Sequence, residues 1–254
     1  MRGALLLALL ASAPALAAGP VPPVVLFDEG HGQLFRARGD RPLDLSALAG
    51  VVTGLGGSVR SSRAPLTPES LAGVRALVVS GPFAPVSVAE SEAVVAWVEA
   101  GGSLVVMLHI ESPLHVLLSL LGVAVTNGVL REEVGVIGGE PLNFRVSRFA
   151  PHPLTKGLAA FSVYGAWGFR PAGPGVEAVA TTSDRAWLDK NRDGVFDAGD
   201  SRHAFDVAVA GRRGQGRFAA FGDDAMFQNQ FLKGDNRQLA RNLFAWLLGG
   251  AGTP

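Results

Sequence analysis

Short apolar runs alternate with segments of helical periodicity along the first half of the chain. The runs at 24–27, 76–80 and 103–110 are bounded by proline, glycine or polar residues, and 58–61 is a further, more polar strand candidate. Because a strand covered on both faces is apolar along its whole length, these runs predict buried strands of a parallel sheet.

Apolar residues at helical spacing predict helices at 44–55, 87–100 and 113–121. The second helix has the clearest start, because Ser87 is followed three residues later by Glu90, which is the spacing of a capping box. Strands that alternate with helices in this way predict an α/β fold, a flavodoxin-like parallel sheet flanked by helices.

The pattern changes in the second half of the chain. Between 123 and 175, glycines and prolines interrupt short β-rich stretches, and we expect this excursion to lie beside the sheet and not to form a separate domain. Further strands are predicted at 176–181, 205–210 and 217–221. The last predicted helix covers 236–248, with its first residue, an asparagine, as the N-cap.

The start of the chain has the pattern of a secretory signal peptide. A basic second residue precedes a short apolar run and the small-residue motif Ala15-Leu16-Ala17. We expect residues 1–18 to be removed after Ala17 or Ala18, which leaves one α/β domain, 19–254, in the periplasm or secreted. An uncleaved anchor helix is the alternative, although the run is shorter than the roughly 20 residues that span a membrane.

Composition narrows the function classes. The formal net charge is zero and the basic residues are scattered, so the chain has no basic footprint for nucleic acid. It contains no cysteine, which excludes disulfides and a thiol nucleophile. No later stretch is long and apolar enough for a membrane span, so we expect none after signal cleavage.

One segment near residue 190 has the residue spacing of a calcium loop. Side-chain oxygens at loop positions 1, 3, 5, 9 and 12, with glycine at position 6, would wrap the six to eight oxygen ligands that Ca²⁺ requires. The predicted ligands are the side chains of Asp189, Asn191, Asp193, Asp197 and Asp200 and the backbone carbonyl of Val195. We expect a structural Ca²⁺, with Trp187 packed under the loop. An aspartate at the last position, where an EF-hand has glutamate, resembles the calcium loops of dockerin-type modules.

The order of elements resembles a known superfamily. The Gly81-Pro82 turn, the capped helix, the strand SLVVMLHI and the ending GRFAAFGDDAMFQNQFLKGDNRQLARNLFAWL are similar to the class I glutamine-amidotransferase-like proteins, in particular to their non-enzymatic branch. That branch includes GIFT-type domains and exported domains of unknown function. The resemblance implies a flavodoxin-like sheet whose site lies at the carboxyl ends of the strands.

The residues that would make such a domain an amidotransferase are missing. In those enzymes a cysteine follows the strand equivalent to SLVVMLHI, and a His-Pro-Glu sequence follows the last strand. Here the first position lies in the turn 108–113, which has no thiol, and the second is Gly222-Asp223-Asp224. Without nucleophile and base, glutamine hydrolysis by that mechanism is not available, and we expect a non-catalytic domain that binds a ligand or a protein.

Polar residues at three predicted strand ends are the candidate ligand contacts. They are Asp28, Glu29, His31, His109, Glu111 and Asp223. Because carboxyl ends of parallel strands meet at one edge of a sheet, these groups would lie close together. Carboxylates and imidazoles together could also hold Zn²⁺. Alternatively, the aspartate and glycines after the first strand only form turns and caps.

Two function classes stay open. The first is a binding domain whose partner is an unknown small molecule, a glycan or an envelope protein. The second is a hydrolase that uses the acidic and histidine cluster, or Ser112 as a nucleophile. No G-x-S-x-G motif surrounds this serine, and serine before proline is usually an N-cap. Convergence of these groups on one pocket would favour the enzyme, whereas engagement in caps would favour the binding domain.

Overall fold

The computed structural model describes residues 21–109 and 113–249. The predicted signal peptide, Glu111 and Ser112 lie outside the described residues. The helices are Ser46–Gly54 (α1), Val88–Glu99 (α2), His115–Leu120 (α3) and Gly234–Leu247 (α4). The strands are Val24–Asp28 (β1), Ser58–Ser62 (β2), Val74–Ser80 (β3), Ser103–Met107 (β4), Val123–Arg131 (β5), Val136–Ile137 (β6), Glu140–Val146 (β7), Arg148–Phe149 (β8), Phe161–Tyr164 (β9), Trp167–Pro171 (β10), Val176–Thr181 (β11), Trp187–Asp189 (β12), Ser201–Arg202 (β13), Asp206–Arg213 (β14) and Gly216–Phe221 (β15).

One half of the main sheet is parallel, as predicted. Its strands run in the order β15-β4-β3-β1-β2, and every neighbouring pair among them is parallel. Alternate residues of these strands face opposite sides: Val25 and Phe27 join a core with α1 and α4, and Leu26 joins a second core with α2 and α3. The sheet is therefore covered on both faces, which is why its strands are apolar along their length.

The other half of the main sheet is antiparallel, and here the sequence prediction was wrong. Strands β14, β10, β5, β12 and β13 continue the sheet beyond β15, so the whole is a mixed sheet of twelve described strands that includes β8 and β11. Two strands of the segment 123–175, β5 and β10, are interior members of this sheet and do not lie beside it. The pairing of β5 with β10 joins residues that are distant in the chain. It could not be predicted from the local sequence, which is interrupted by glycines.

A second, smaller sheet is formed by the rest of that segment. It contains β6, β7 and β9 in antiparallel order. In its register Asn143 lies opposite Tyr164, next to the point where the chain returns to the main sheet as β10. The small sheet therefore stands near the carboxyl ends of the central strands.

Local signals for helices were largely correct. Ser87 and Glu90 form both hydrogen bonds of a capping box at the start of α2. The last helix begins two residues earlier than predicted, at Gly234, so Asn236 lies in its first turn and is not the N-cap. Instead, the buried Asn236 side chain binds the backbone of Ser162 in β9, which the sequence did not indicate. No helix of the described residues is long and apolar enough to cross a membrane.

Candidate functional site

The end of β1 carries a buried hydrogen-bond network centred on His31, which we call the His31 network. The imidazole Nδ1 lies 2.7 Å from Asp28 Oδ2, and Nε2 lies 3.1 Å from Glu90 Oε1. Gln33 also donates to Asp28 Oδ2, and Gly30 N–H donates to Asp28 Oδ1. The hydrogen bond with Asp28 raises the pKa of His31 despite the opposing effect of burial. The network ties the loop after β1 to the start of α2.

The carboxylates near His31 form hydrogen bonds with other groups of the protein. Burial opposes the ionisation of Glu90, but hydrogen bonds from Ser87 and from the Leu66 N–H outweigh it and lower the pKa of Glu90 to about 2. Glu29 is turned away and accepts hydrogen bonds from Arg36 and from the Ala37 N–H. Asp28 accepts the N–H of Gly30 two residues further on, which is the turn expected of an aspartate after a strand.

His109, which follows β4, is paired with an aspartate that follows β15. Its Nδ1 lies 2.8 Å from Asp224 Oδ1, and its ring packs against Phe35 and Phe83. Burial opposes protonation of His109, but the hydrogen bond and charge of Asp224 outweigh it and raise the pKa of the imidazole. The second oxygen of the Asp224 carboxylate is buried and has no hydrogen-bond partner. Burial raises the pKa of Asp224, and the hydrogen bond and charge of His109 oppose this rise. The pair therefore places two titratable groups at the centre of the sheet edge.

Asp223 lies next to this pair and is also buried. Its Oδ2 accepts the Tyr164 N–H at 2.7 Å and its Oδ1 accepts the Ala225 N–H at 2.8 Å. Burial, together with the neighbouring negative charge of Asp224, raises the pKa of Asp223 to about 7. Asp223 thus connects the main sheet to the end of β9 in the small sheet.

A cavity of about 470 Å³, the strand-end cavity, opens between these groups and the small sheet. Its lining combines His109, Asp223, Asp224 and the following Ala225 with residues of three other parts of the fold. These are Val129, Arg131 and Trp167 of the antiparallel half, Glu140, Leu142, Asn143, Tyr164 and Gly165 in and next to the small sheet, and Arg192 of the loop at 189–200. A few converging polar groups in a partly apolar concavity are the usual composition of a ligand site. Its place at the carboxyl ends of the central strands is where open α/β sheets bind ligands.

Two arginines connect this cavity to the predicted calcium loop. Arg192, at loop position 4, has a left-handed backbone (φ 61°), and its guanidinium lies 5.4 Å from the centre of the Trp167 ring. Arg131 reaches the loop from β5: its Nε lies 2.7 Å from Asp189 Oδ2. A β-carbon built on Gly194 would lie 3.2 Å from Arg131 Nη2, so the guanidinium sits close to the loop backbone.

Within the loop, the predicted ligands bond to nearby backbone. Asn191 Oδ1 accepts the Asp193 N–H, and the two oxygens of Asp200 accept the N–H groups of Lys190 and Asp197. Asp189 is fully buried, and its Oδ1 has no hydrogen-bond partner. Val195 is exposed on the outside of the loop. The expected packing of Trp187 under the loop is confirmed, since its ring lies 5.6 Å from that of Phe196.

The structure brings together only part of the predicted site. His109 and Asp223 line one cavity, whereas Asp28 and His31 belong to the His31 network and Glu29 bonds elsewhere. Glu111 lies outside the described residues. Across 21–109 and 113–249, no three carboxylate or imidazole side chains are grouped closely enough to hold a metal ion. These ranges therefore contain no assembled Zn²⁺ site, and the aspartates of the loop at 189–200 are not gathered around one point either.

Sequence reasoning missed most of the cavity. Asp224 was visible at a predicted strand end and could have been chosen with Asp223. Arg131, Tyr164 and Trp167 gave no signal, because they belong to the segment that was placed beside the sheet. The missing information was the antiparallel pairing of β5 and β10.

Comparison with solved structures defines the class of fold. The N-terminal domain of mmIFT52 superimposes with a TM-score of 0.72 at 20% identity, over 91% of this chain and 99% of that domain. A cytoplasmic protein from Salmonella typhimurium LT2 gives 0.57 at 14% identity, over 89% and 99%. A GMP synthase-like protein from Thermoplasma acidophilum gives 0.51 at 12% identity, over 91% and 94%. The chain has a class I glutamine-amidotransferase-like fold.

The family follows from the sequence match. The model of DUF4350, a domain of unknown function, matches residues 40–244, and the chain belongs to this family. No curated protein matches the chain in sequence. The matched range contains the parallel strands β2 to β4 and β15, the strand-end cavity and the loop at 189–200.

Proposed function

We propose that this protein is an exported domain that binds a small polar ligand in the strand-end cavity without turning it over. The observation that carries the proposal is the position of the His109–Asp224 pair, which lies in a cavity at the carboxyl ends of the central strands. Trp167 and Tyr164 supply aromatic surface, and Arg131 supplies a positive charge. The volume of about 470 Å³ lies within the range of small-molecule sites, and this favours a small molecule over a glycan chain or an envelope protein.

Two features support binding in place of catalysis. The chain has no cysteine, and Gly222-Asp223-Asp224 stands where the amidotransferases have His-Pro-Glu. Asp28 and His31 do not join the cavity, because His31 is bonded to Asp28 through Nδ1 and to Glu90 through Nε2. Both features support the proposal that the chain belongs to the non-enzymatic, GIFT-like branch.

Calcium binding by the loop at 189–200 is the second part of the proposal. The spacing of the oxygen side chains supports it, and so does the buried Oδ1 of Asp189, which has no partner. A buried carboxylate oxygen without a donor costs free energy, and an ion held there would recover it. The role of the ion is structural: it offsets the negative charge of the loop aspartates and fixes the segment between β12 and β13.

Export to the periplasm or the exterior rests on the amino-terminal pattern of the sequence. The same location suits the loop, since extracellular calcium modules work at roughly 10⁻⁴–10⁻³ M Ca²⁺.

The cavity is tested by filling it. We expect Asn143→Trp, which places an indole in the cavity, to abolish thermal shifts that the wild type shows with members of a library of small carboxylates, phosphates and sugars. Arg145→Trp is the matched control, because Arg145 lies two residues further along β7, outside the cavity lining. Ligands that raise the Tm of both variants equally would show that they bind outside the cavity. Turnover of an ester, amide or glycoside that disappears in His109→Ala would show a hydrolase.

The loop is tested by calcium and chelator. We expect millimolar Ca²⁺ to raise the Tm of the wild type and to leave Asp193→Ala unchanged, because this substitution removes the ligand at position 5. With chelator the two proteins should melt at nearly the same temperature. A loss of stability in Asp193→Ala that is the same with and without calcium would contradict an ion site.

A further inference from the structure

A second cavity, of about 700 Å³, lies between the small sheet and the start of α4. Its lining comes from Arg145 of β7 and from the segments 159–164 and 230–236, and we call it the helix-side cavity. Its volume lies within the range of small-molecule sites. The proposed ligand site at the strand ends does not include it, so its chemistry has to be derived separately.

The helix-side cavity and the strand-end cavity are neighbours along one face of the small sheet. Asn143 lies opposite Tyr164, and Arg145 lies opposite Ser162. Because side chains alternate between the faces of a sheet, all four of these point to the same face. Asn143 lines the strand-end cavity, Arg145 and Ser162 line the helix-side cavity, and Tyr164 lines both. Substitutions at 143 and at 145 therefore act on different cavities.

Hydrogen bonds between α4 and the outer edge of β9 fix the frame of the helix-side cavity. Asp235 Oδ2 accepts the Ala160 N–H at 3.1 Å, and Asn236 Oδ1 accepts the Ser162 N–H at 2.8 Å. The Asn236 amide also donates to the Ser162 carbonyl at 3.0 Å. Asp235 is the acidic residue of the described lining, and its carboxylate is thus already bound to backbone.

Four other polar side chains of this lining have no protein partner. Within 21–109 and 113–249, the side chains of Arg145, Ser162, Gln230 and Lys233 form no hydrogen bond or ion pair. All four carry donors, and the guanidinium and the ammonium are donors only. With two positive residues and one aspartate, the described lining has a net charge of +1. Cationic donors form their strongest hydrogen bonds with carboxylate and phosphate, so the cavity favours an anion.

Two aromatic rings supply apolar surface beside these donors. Tyr164 and Phe231 both line the helix-side cavity, and their rings stack with centroids 3.9 Å apart. Such surface favours a ligand that has an apolar or planar body. We propose that the helix-side cavity is a separate binding site for a small organic anion. The carboxylate or phosphate of this molecule contacts Arg145 and Lys233, and its body packs against the two rings.

The test is titration with phenyl phosphate and with benzoate, followed through the amide chemical shifts of the protein. We expect the wild type to bind these anions at millimolar concentration, and the tighter of the two shows which anionic group the site prefers. Arg145→Gln and Lys233→Gln should each weaken the binding about fivefold, because each removes one partly exposed ion pair. Arg237→Gln is the matched control, since Arg237 is an exposed cation of α4 outside the lining.

The variants that fill each cavity test the location. We expect Arg145→Trp to abolish binding of phenyl phosphate and Asn143→Trp, which fills the strand-end cavity, to leave it unchanged. Loss of binding in Asn143→Trp would show that the anion depends on the strand-end cavity, and would overturn a separate site without affecting the proposed function. The inference also fails if neither anion binds the wild type, if uncharged phenol binds as tightly as they do, or if Arg237→Gln weakens binding as much as Arg145→Gln.

Discussion

At the scale of single residues, neighbouring aspartates differ in their electrostatic environment. Burial raises the pKa of Asp224, and the hydrogen bond and charge of His109 oppose this rise, whereas Asp223 accepts the backbone N–H groups of Tyr164 and Ala225. Burial and the charge of Asp224 raise the pKa of Asp223 to about 7. Asp223 is therefore a group of this site whose charge changes near neutral pH.

This difference predicts how stability depends on pH. The folded-state pKa of Asp223 lies above the value of about 3.9 for an unfolded aspartate, so between about pH 4 and pH 7 the folded protein holds a proton that the unfolded chain has released. The free energy of unfolding consequently falls as the pH rises through this window. His109, whose pKa is also raised, contributes stability that is present below an unfolded pKa of about 6.5 and is lost above its folded pKa.

We expect Asp223→Asn to have a smaller decrease of Tm between pH 5 and pH 8 than the wild type, because the asparagine does not ionise. The decrease due to His109 should remain. Thermal unfolding across this range measures both slopes, and Asp235→Asn, a change at an aspartate at the start of α4, is the control. Parallel curves for Asp223→Asn and the wild type would contradict the raised pKa of Asp223.

At the scale of elements, the junction of β10 and β15 depends on close backbone contact. Trp167 N–H donates to the Gly222 carbonyl at 2.9 Å, and Gly222 N–H donates to the Val207 carbonyl at 2.9 Å. A β-carbon on Gly222 would lie 2.0 Å from the Trp167 carbonyl oxygen. The glycine thus permits the approach that places Trp167 beside Asp223 and Asp224 in the cavity.

We expect Gly222→Ala to lower the free energy of unfolding by about 2–4 kcal/mol, because the clash is with backbone, which must shift to relieve it. Gly50→Ala is the matched control, since Gly50 lies inside α1 and its added methyl group meets nothing within 4 Å. This control should gain up to about 1 kcal/mol from helix propensity. Denaturant unfolding measures the free energy of unfolding of both variants and of the wild type. A Gly222→Ala variant as stable as the wild type would show that the junction tolerates a side chain.

At the scale of the whole molecule, the two halves of the main sheet have separate roles. The parallel half supplies the strand ends that hold His109, Asp223 and Asp224. The antiparallel half, the small sheet and the loop supply the opposing wall with Arg131 and Trp167. The cavity exists only where these parts meet.

Export is the prediction that concerns the complete chain. We expect expression of residues 1–254 in a Gram-negative host to give a periplasmic product that has lost its first 17 or 18 residues, because a basic start, a short apolar run and small residues direct cleavage there. Intact mass measurement of the periplasmic fraction gives the cleavage site. Substitution of Ala15 and Ala17 by larger residues should leave the precursor uncleaved, and a full-length cytoplasmic product from the unchanged sequence would contradict the signal.

The sequence by itself predicts those features that arise from residues close together in the chain. The capping box of Ser87 and Glu90 spans four residues, and the apolar runs of the parallel strands reflect burial on both faces, so both can be predicted from the sequence alone. The lack of cysteine is likewise a property of the sequence. Most helices and parallel strands were therefore correctly predicted, with shifts of a few residues at their ends.

The composition of the site, in contrast, depends on long-range packing. His109 and Asp224 are 115 residues apart in the chain, and Arg131 and Asp189 are 58 apart. No local pattern encodes such pairs, because they depend on the register and order of strands that β5 and β10 contribute from a segment with weak periodicity. Asp28 and Asp223 both lie at predicted strand ends, and from the sequence either could belong to a ligand site. Only the tertiary structure shows that Asp28 belongs to the buried His31 network and that Asp223 lines the cavity.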